Sequence, residues 1–569
     1  MHQSGELLKE LLLKCGLKND QEINAFLNPD YDRDLHDPFL MRDMERACVR
    51  LYQAIDNNEK IIIYADYDCD GIPGAVILSD LLKKINYKNY EVYIPQRNSE
   101  GYGLNLIAIG KFIKSGVQLI ITIDLGITAV EEVAEASIAG IDVIITDHHL
   151  PHETLPRAFA ILNPKVDDYP EKMLCGSGVM FKFVQGFVKK YGEFFKITNG
   201  WEKWSLDMAG LATLSDMVPL TGENRAIAYF GMKVLRKSPR PGLQKLLAKM
   251  NIDQKYLSED DVGFMLTPRI NAASRMDDPM RAFELLSTID EVEGDNLAIH
   301  LSKINDERKN IVKGIMRDVG KTFSNSPLRE MNEVIVVGNP NWRVGVLGLV
   351  AGKIMDEYNK PVFVWGKDEN DCIKGSCRSP GSVSIVELMT ETKEFFLDFG
   401  GHELAGGFTV HTEKVHFLEE ALSLSFKKLT PSAFGTSPYI GGGTMGVNFD
   451  IKFTLNAVNM KNWREIEKMT PFGLANPKPI FLFENVKIEK LKKFGKNGSG
   501  EHLEIIFSNK NQEGDENTNT KVVAISFFSG LDSFSKVLEE GINVNLLATF
   551  DLSRFRGKEE LRLRIEDIY

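Results

Sequence analysis

The stretch Ile61-Ile62-Ile63-Tyr64-Ala65-Asp66-Tyr67-Asp68-Cys69-Asp70-Gly71 decides the fold, because a short apolar run ends abruptly in three carboxylates. Two later runs repeat the pattern: residues 119–123 end at Asp124, and residues 143–146 end at Asp147-His148-His149. Helix-like segments separate the three runs. Continuous apolar strands that alternate with helices predict an α/β fold with a parallel sheet buried on both faces. Ligands bind beyond the carboxyl ends of such strands, which is where these acidic residues lie.

The rest of the chain continues with different patterns. Apolar residues recur at helical spacing from Asp295 to Val319, which predicts a long connecting helix before a second α/β pattern. Glycines concentrate between residues 431 and 447, and alternating β-like runs follow. We therefore predict an N-terminal segment over 1–50, a catalytic α/β domain over 51–290, a connector helix over 291–322, a second α/β domain over 323–430, a flexible linker over 431–447 and a small β-rich domain over 448–569.

Composition excludes several classes of protein. The chain has 569 residues, 68 Lys and Arg against 80 Asp and Glu, and a net charge of −12, so it is not a general polycation for coating DNA or membranes. Six cysteines without a C-x-x-C pair exclude a disulfide scaffold and a thiolate zinc site. No apolar run approaches the length of a membrane span, and the charged N-terminus does not fit a signal peptide. A cytoplasmic protein is expected.

Carboxylates and histidines that end neighbouring strands are suited to binding divalent cations. Asp66, Asp68, Asp124 and His148 offer the oxygen and imidazole ligands that Mn²⁺ or Mg²⁺ accepts. Two such ions can activate water and stabilise the leaving oxygen in phosphodiester hydrolysis. A single aspartate at a strand end is more often a helix cap or turn former. With His149 beside His148, five such residues on three consecutive strand ends favour the metal site.

These residues resemble the motifs of a known family. Residues 66–71, 122–127, 147–149 and 212–220 are similar to the four metal-site motifs of the DHH phosphoesterases. Four further tracts, Leu35-His36-Asp37-Pro38-Phe39, Glu100-Gly101-Tyr102-Gly103, Pro268-Arg269-Ile270-Asn271-Ala272 and Gly400-Gly401-His402, resemble the single-strand-specific DNA exonucleases within that family. The resemblance covers roughly residues 25 to 425. It implies a DHH catalytic domain, a DHH-associated substrate-binding domain and a C-terminal barrel like the oligonucleotide-binding (OB) fold.

The resemblance also implies roles for individual residues. The metal ligands would be Asp66, Asp68, Asp124, His148 and Asp216, with Asp124 bridging two Mn²⁺ or Mg²⁺ ions. The catalytic residues would be Asp124, His149, which would contact the scissile phosphate or metal-bound water, and Asp70, which would orient its neighbours. The substrate-binding residues would be Arg97, Tyr102, Arg269, Asn271, Arg275, Ser376, Arg378 and His402.

Some of these assignments have structural alternatives. A guanidinium group can donate two parallel hydrogen bonds to phosphate oxygens. Any one arginine of the set could instead lie at the surface or at a domain interface without contacting phosphate. Tyr102 could stack on a base or act as a packing anchor between two glycines. Arg343 stands where the family usually has histidine, and it is a candidate for an extra phosphate contact. The basic clusters at 490–496 and 554–564 fit a DNA-binding face and a solvated surface equally well.

The function implied by the resemblance is a metal-dependent hydrolase that degrades single-stranded DNA in the 5′→3′ direction to 5′-mononucleotides. Its setting would be DNA recombination and repair. It would act as a monomer and would not bind a membrane. A single-strand-binding protein and a helicase are candidate partners. Two alternatives remain open: another DHH phosphoesterase acting on short RNA or cyclic dinucleotides, and a non-catalytic DHH scaffold for replication proteins.

Overall fold

The computed structural model describes residues 6–97, 99–166, 168–325, 332–430, 449–495, 502–508, 520–527, 529–531, 533–554 and 558–569. The strands are β1 Ile61–Ala65, β2 Tyr90–Tyr93, β3 Leu119–Ile123, β4 Asp142–Thr146, β5 Ala160–Leu162, β6 Ile335–Gly338, β7 Val362–Lys367, β8 Ile373–Arg378, β9 Phe396–Gly401, β10 Ala405–Val410, β11 Ile451–Phe453, β12 Phe481–Phe494, β13 His502–Ser508, β14 Lys521–Phe527, β15 Asn543–Ser553 and β16 Glu560–Ile568.

The helices are α1 Glu6–Lys14, α2 Asp20–Leu27, α3 Tyr31–Asp34, α4 Met44–Asp56, α5 Gly71–Lys84, α6 Leu106–Lys114, α7 Val130–Ile138, α8 Gly176–Tyr191, α9 Leu206–Ser215, α10 Gly222–Leu235, α11 Pro241–Lys249, α12 Glu259–Asp261, α13 Thr267–Met276, α14 Met280–Ser287, α15 Glu291–Asn325, α16 Leu347–Tyr358, α17 Ile385–Glu391, α18 Leu418–Leu429 and α19 Met460–Glu467. The chain forms two compact units. One comprises Met1–His36, Met217–Tyr229 and Gly443–Tyr569, and the other comprises Asp37–Asp216 and Phe230–Gly442.

The catalytic half of the larger unit is built on a parallel sheet with the strand order β2-β1-β3-β4-β5. All residues of β1 and β3 are buried, as expected for continuous apolar strands covered on both faces. The register pairs Ala65 with Ile123, and Ile123 with Thr146. Three neighbouring strands therefore end level with one another, and the acidic residues that follow them meet at one edge. The predicted α/β fold with a parallel sheet is confirmed.

The second α/β half of this unit contains a mixed sheet with the order β6-β7-β8-β10-β9. β6 and β7 are parallel, whereas β8, β9 and β10 run antiparallel to their neighbours. The predicted long helix before it is α15, which spans 35 residues and buries Leu301, Ile304 and Ile315. Strand β8 carries Ser376 and Arg378, and the turn between β9 and β10 carries His402.

The smaller unit contains a barrel-like sheet with the order β11-β12-β13-β14-β16-β15. An additional pairing between β12 and β15 closes this sheet on itself, in agreement with the predicted β-rich domain. Four leucines of α1, Leu7, Leu8, Leu11 and Leu12, belong to the same apolar core as the barrel strands. The N-terminal helix and the C-terminal strands therefore share one core, which the sequence analysis did not anticipate.

Other sequence expectations stay predictions. The linker over 431–447 lies outside the described residues, as do Lys496 and Arg556 of the basic clusters. Within the described part of those clusters, Arg562 pairs with Asp551 and Lys492 with Glu504. The domain boundaries proposed above are likewise predictions. Among the described helices, none combines the length and the apolar character that crossing a bilayer requires.

Candidate metal and phosphate site

The carboxyl ends of β1 and β3 bring Asp66, Asp68 and Asp124 together. One oxygen from each carboxylate lies within 4.8 Å of the others. The strand order reverses between β1 and β3, and open α/β sheets bind ligands at such a switch point. Asp124 adopts a left-handed backbone conformation with φ 63°. A Cβ atom on Gly176 would lie 2.5 Å from the Cβ of Asp124, so only glycine lets α8 begin this close to the carboxylate.

His148 lies close to three carboxylates from different elements: Asp124 after β3, Asp70 at the start of α5 and Asp216 at the end of α9. Its Nε2 atom lies 3.2 Å from Asp124 Oδ1, 3.7 Å from Asp70 Oδ2 and 3.8 Å from Asp216 Oδ2. Burial and the neighbouring His149 lower the pKa of His148 to about 3. The imidazole is therefore neutral at physiological pH, the form in which histidine binds a metal.

His149 is held by Asp147, a residue to which the sequence analysis gave no role. The Oδ1 atom of Asp147 accepts hydrogen bonds from the backbone N–H groups of His148 at 2.7 Å and His149 at 3.0 Å, and it lies 2.8 Å from His149 Nδ1. Burial lowers the pKa of His149, but the hydrogen bond and charge of Asp147 outweigh burial, so the pKa is raised. Asp147 belongs to the motif Asp147-His148-His149, and its place in that motif is the sequence feature that could have indicated its role.

Asp70 is fixed by the start of α8. Its two carboxylate oxygens accept backbone N–H bonds from Gly176 at 2.6 Å and from Ser177 at 2.7 Å. Burial and the charge of Asp68 raise the pKa of Asp70 to about 6. One of its oxygens also groups with His148 and Asp216 within 4.8 Å. This geometry supports an orienting role for Asp70 and leaves it within reach of a cation.

The donor set fits divalent cations. Among the described residues, Asp66 Oδ1 and Asp124 Oδ1 are buried without a hydrogen-bond partner. Burial and the surrounding carboxylates raise the pKa of both groups well above the ordinary value, and burial with the charges of Asp70 and Asp68 raises the pKa of Asp216 to about 8. Buried oxygens that repel one another and lack donors are stabilised by a cation. Oxygen ligands with one or two imidazoles suit Mn²⁺ and Mg²⁺.

Tyr102 and His402 also reach this site. The Tyr102 hydroxyl donates to the backbone carbonyl of Asp124 at 3.0 Å and lies 3.2 Å from His149 Nδ1, while the side chain remains half exposed. The rings of His149 and His402 are parallel, with centroids 6.1 Å apart. The second α/β half therefore contributes directly to the surroundings of His149.

Three of the predicted phosphate-binding arginines gather beside a cavity of about 370 Å³. Its lining includes Tyr67, Arg97, Gly345, Gly348 and Ser376. Burial lowers the pKa of Arg275 to about 9, with further contributions from the charges of Arg97, Arg308 and Arg378. Tyr67 lies between the candidate ligands Asp66 and Asp68, so this cavity adjoins the carboxylate cluster. Several guanidinium charges near one cavity favour a site for an anion.

Two predicted substrate residues, Arg269 and Asn271, are not among the residues that line this cavity. Arg269 is 8% exposed and donates Nη1 to the carbonyl of Met265 at 2.7 Å. Asn271 keeps a buried Oδ1 atom that has no partner among the described residues. Arg343, a candidate for an extra phosphate contact, donates Nη2 to the carbonyl of Met276 at 2.6 Å, and its phosphate contact stays a prediction. Arg343 therefore joins the two α/β halves.

One further residue near the histidines was not anticipated from the sequence. The Lys165 ammonium donates to the backbone carbonyl of His148, and Asn163 Nδ2 donates to the carbonyl of His149 at 2.9 Å. Burial lowers the pKa of Lys165. A lysine directly after Asn163-Pro164 carries no signal of its own in a single sequence, since only the tertiary fold brings it to the histidines.

Comparisons with known proteins agree with this architecture. Family models match over residues 60–213 (DHH family, N-terminal domain), 331–428 (DHHA1 domain) and 449–567 (RecJ OB domain). The chain is 33% identical to the single-stranded-DNA-specific exonuclease RecJ of Bacillus subtilis, over 99% of this chain and 67% of that protein. It is 30% identical to RecJ of Escherichia coli, over 84% of this chain and 82% of that protein.

Solved structures show the same fold. Crystal structures of RecJ from Thermus thermophilus in complex with Mn²⁺ and with Mg²⁺ match with TM-scores of 0.78 and 0.72 at 23% and 21% identity. The matches cover 99% of this chain and 76% and 74% of those chains.

Proposed function

This chain belongs to the RecJ family of single-stranded-DNA-specific exonucleases, and on that premise we propose that it hydrolyses single-stranded DNA in the 5′→3′ direction to 5′-mononucleotides. The observation that carries the proposal is the buried carboxylate–histidine cluster that adjoins a cavity lined by Arg97, with Arg275 and Arg378 beside the lining residues Gly345 and Gly348. Phosphodiester hydrolysis needs the first element, and capture of a charged strand end needs the second. The 5′ end of DNA commonly bears a phosphate monoester and the 3′ end a hydroxyl, so a multi-arginine cavity favours the 5′ end.

The residues that would hold the cations are Asp66, Asp68, Asp124, His148 and Asp216, and the clustering of their side chains supports this proposal. When bound, two divalent ions would supply charge stabilisation and water activation for an in-line displacement. His149 directs Nδ1 at Asp147, which leaves Nε2 to face the scissile phosphate and to hold a proton there. Tyr102 anchors the backbone at Asp124 and offers its exposed ring to a base. Asp70 keeps the α5 and α8 termini in place around these groups.

The proposal is tested with a single strand labelled at the 5′ or the 3′ end, beside a blunt duplex, in Mn²⁺, in Mg²⁺ and in EDTA. We expect immediate metal-dependent release of the 5′ label as a mononucleotide and no loss from the duplex. Early loss of the 3′ label would contradict the polarity. No cleavage of DNA together with cleavage of short RNA or cyclic dinucleotides would favour another DHH chemistry, and inactivity on all of them would favour a scaffold.

Replacing Arg378 by Ala should weaken binding of a 5′-phosphorylated strand by about 10- to 100-fold, the scale of one charge-assisted contact. Arg378 lies in β8, and its guanidinium is close enough to Arg275 to lower the pKa of that group. The measurement is strand affinity by fluorescence anisotropy in EDTA, with 5′-phosphate and 5′-hydroxyl strands. The variant should lose the preference for the phosphate, while the exposed Arg281→Ala should keep it. An unchanged preference in Arg378→Ala would remove Arg378 from the end-binding site.

We further propose that the enzyme acts as a monomer in the cytoplasm, in recombination and repair, beside a single-strand-binding protein and a helicase. These expectations follow from the family resemblance and from the single-stranded substrate. Light scattering of the purified chain tests the monomer, and co-purification with a single-strand-binding protein tests that partner.

A further inference from the structure

A second loop lies beside the two histidines at the edge of the parallel sheet. Strand β5 pairs in parallel with β4, and Leu162 stands opposite Thr146 in the register. The three residues that follow β5, Asn163-Pro164-Lys165, are called the β5 loop, and they run beside the Asp147-His148-His149 motif that follows β4. The backbone N–H of Asp147 donates to the carbonyl of Leu162 at 3.1 Å. The β5 loop therefore belongs to the surroundings of the candidate cation ligands.

Two side chains of the β5 loop hold the backbone carbonyls of the histidines. Asn163 is completely buried, and its Nδ2 atom donates to the carbonyl of His149 at 2.9 Å. Its Oδ1 atom accepts from the backbone N–H of Lys165 at 2.9 Å and so fixes the start of that side chain. The Lys165 ammonium donates to the carbonyl of His148. Each histidine carbonyl thus accepts from a different side chain of the same loop.

The ammonium also lies among the charges of the cluster. Burial and two neighbouring carboxylates raise the pKa of Asp216, and the charge of Lys165 acts against them. The same charge acts on His149 and on His402. If Lys165 only balanced the carboxylates, its charge would repel a bound cation, and its removal would strengthen cation binding. If Lys165 orients a cation ligand, its removal would weaken cation binding.

The contact with the carbonyl bears on the direction of the His148 imidazole. The Nε2 atom of His148 faces Asp124, Asp70 and Asp216 at 3.2 to 3.8 Å, so it lies among three groups that could share a cation with it. The Lys165 ammonium holds the peptide between His148 and His149, and a rotation of that peptide would move the imidazole away from the carboxylates. Removing a group that orients a metal ligand typically costs about 10- to 100-fold in metal affinity.

We propose that Lys165 is a positioning residue of the cation site, whose ammonium holds the peptide after His148 and keeps the imidazole directed at the cations. The inference rests on the proposed function and deepens it, because it adds to the candidate ligands a residue that acts through one of them. The donor function of Lys165 outweighs the repulsion between its charge and the cations, and this balance gives the test a definite sign.

Binding of Mn²⁺ to the full chain without DNA is the primary measurement. Lys165→Met keeps the apolar stem of the side chain and removes both the donor and the charge. We expect Mn²⁺ affinity by calorimetry to fall by about 10-fold in this variant, although the loss of the charge alone would raise it. Lys165→Arg keeps a charged donor and should recover most of the affinity. Unchanged or tighter Mn²⁺ binding in Lys165→Met would overturn the positioning role.

A matched control removes a lysine that lies away from the cluster. Lys114 is exposed in the last turn of α6, and Lys114→Met makes the same chemical change there. This variant should bind Mn²⁺ as the wild type does. A loss of affinity in Lys114→Met equal to that in Lys165→Met would show a general effect of net charge and would overturn the proposal.

The histidines themselves provide a spectroscopic readout. The metal-free protein is labelled with ¹³C at histidine Cε1, and the signals of His148 and His149 are assigned by replacing each in turn with Gln. Lys165→Met should shift the His148 signal more than the His149 signal, because Asn163 still holds the His149 carbonyl, and Lys165→Arg should leave both near their wild-type positions. An unshifted His148 signal, or equal shifts of all ten histidines, would overturn the specific contact.

Degradation of single-stranded DNA separates this inference from the proposed function. In Lys165→Met the Mn²⁺ concentration for half-maximal rate should rise about 10-fold, whereas KM for the strand at saturating Mn²⁺ should stay at the wild-type value. A raised KM with an unchanged Mn²⁺ requirement would place Lys165 on the strand and overturn its positioning role alone. A wild type that binds Mn²⁺ with the expected dependence on Lys165 but degrades no DNA would overturn the proposed function alone.

Discussion

Asp124→Asn is expected to lower turnover on single-stranded DNA by at least about 10³-fold, the scale typical of removing one group that stabilises charge in a transition state. Asp124 is the carboxylate that groups both with Asp66 and Asp68 and with the two histidines. The substitution therefore replaces a charged oxygen ligand at the centre of the cluster by a neutral amide. The measurement is release of the 5′ label under saturating Mn²⁺, in parallel with Mn²⁺ binding by calorimetry.

The backbone at this position determines which variant gives an interpretable result. Asp124 has φ 63°, a conformation that Asn adopts more readily than Ala, and α8 packs against its side chain through Gly176. Asn keeps the shape and removes the charge, whereas Ala adds backbone strain and a small void. The matched control is Asp56→Asn, on the exposed end of α4, which should retain full activity. Near-normal turnover in a folded Asp124→Asn variant would rule out the two-metal assignment.

The sequence contained most of the information needed for the catalytic cluster. Apolar strands that end in carboxylates predict both the sheet and the edge where the ligands meet, because parallel strands place their carboxyl ends together. The pairing of Ala65 with Ile123, and of Ile123 with Thr146, shows this directly. Asp216 was predicted as a ligand only from the family motif, because it follows a helix and no apolar strand precedes it.

Other features depend on tertiary packing that no local pattern encodes. The role of Asp147 emerges only when its oxygens are seen to accept from two backbone N–H groups and to contact His149. The hydrogen bond from Arg343 to the carbonyl of Met276 likewise has no local signal in the sequence. The leucines of α1 pack into a barrel formed more than 400 residues later, a contact between distant segments that periodicity cannot predict.

The metal-free protein should lose thermal stability as the pH rises from about 4 to about 8, and saturating Mn²⁺ should remove most of that loss. The folded-state pKa values of Asp70 (about 6) and Asp216 (about 8) exceed the ordinary value of about 3.9 for aspartate. Between these limits the folded state binds more protons than the unfolded state, so the free energy of unfolding falls with increasing pH. The raised pKa values of Asp66 and Asp124 act in the same direction.

The two histidines of the cluster modify this profile in opposite ways. The raised pKa of His149 also gives stability that is lost as the pH rises, whereas the pKa of His148 near 3 gives stability that is gained up to about pH 6.5. The carboxylates outnumber His148, so the net slope should remain negative above that pH. Calorimetric midpoints from pH 5 to pH 8.5, with EDTA and with Mn²⁺, measure the profile.

The Asp124→Asn variant shows how much of this pH dependence comes from the carboxylate–histidine cluster and how much from the rest of the protein. The variant removes one repelling charge, so its metal-free midpoint should fall less with pH than that of the wild type, and Mn²⁺ should raise it less. Metal binding also requires deprotonated ligands, so the gap between the Mn²⁺ and EDTA midpoints should widen with pH in the wild type. A constant gap, or identical profiles for wild type and variant, would mean that these carboxylates do not share the charge of a bound cation. The repulsion that destabilises the metal-free fold is, on this reasoning, the source of its affinity for the cations that catalysis needs.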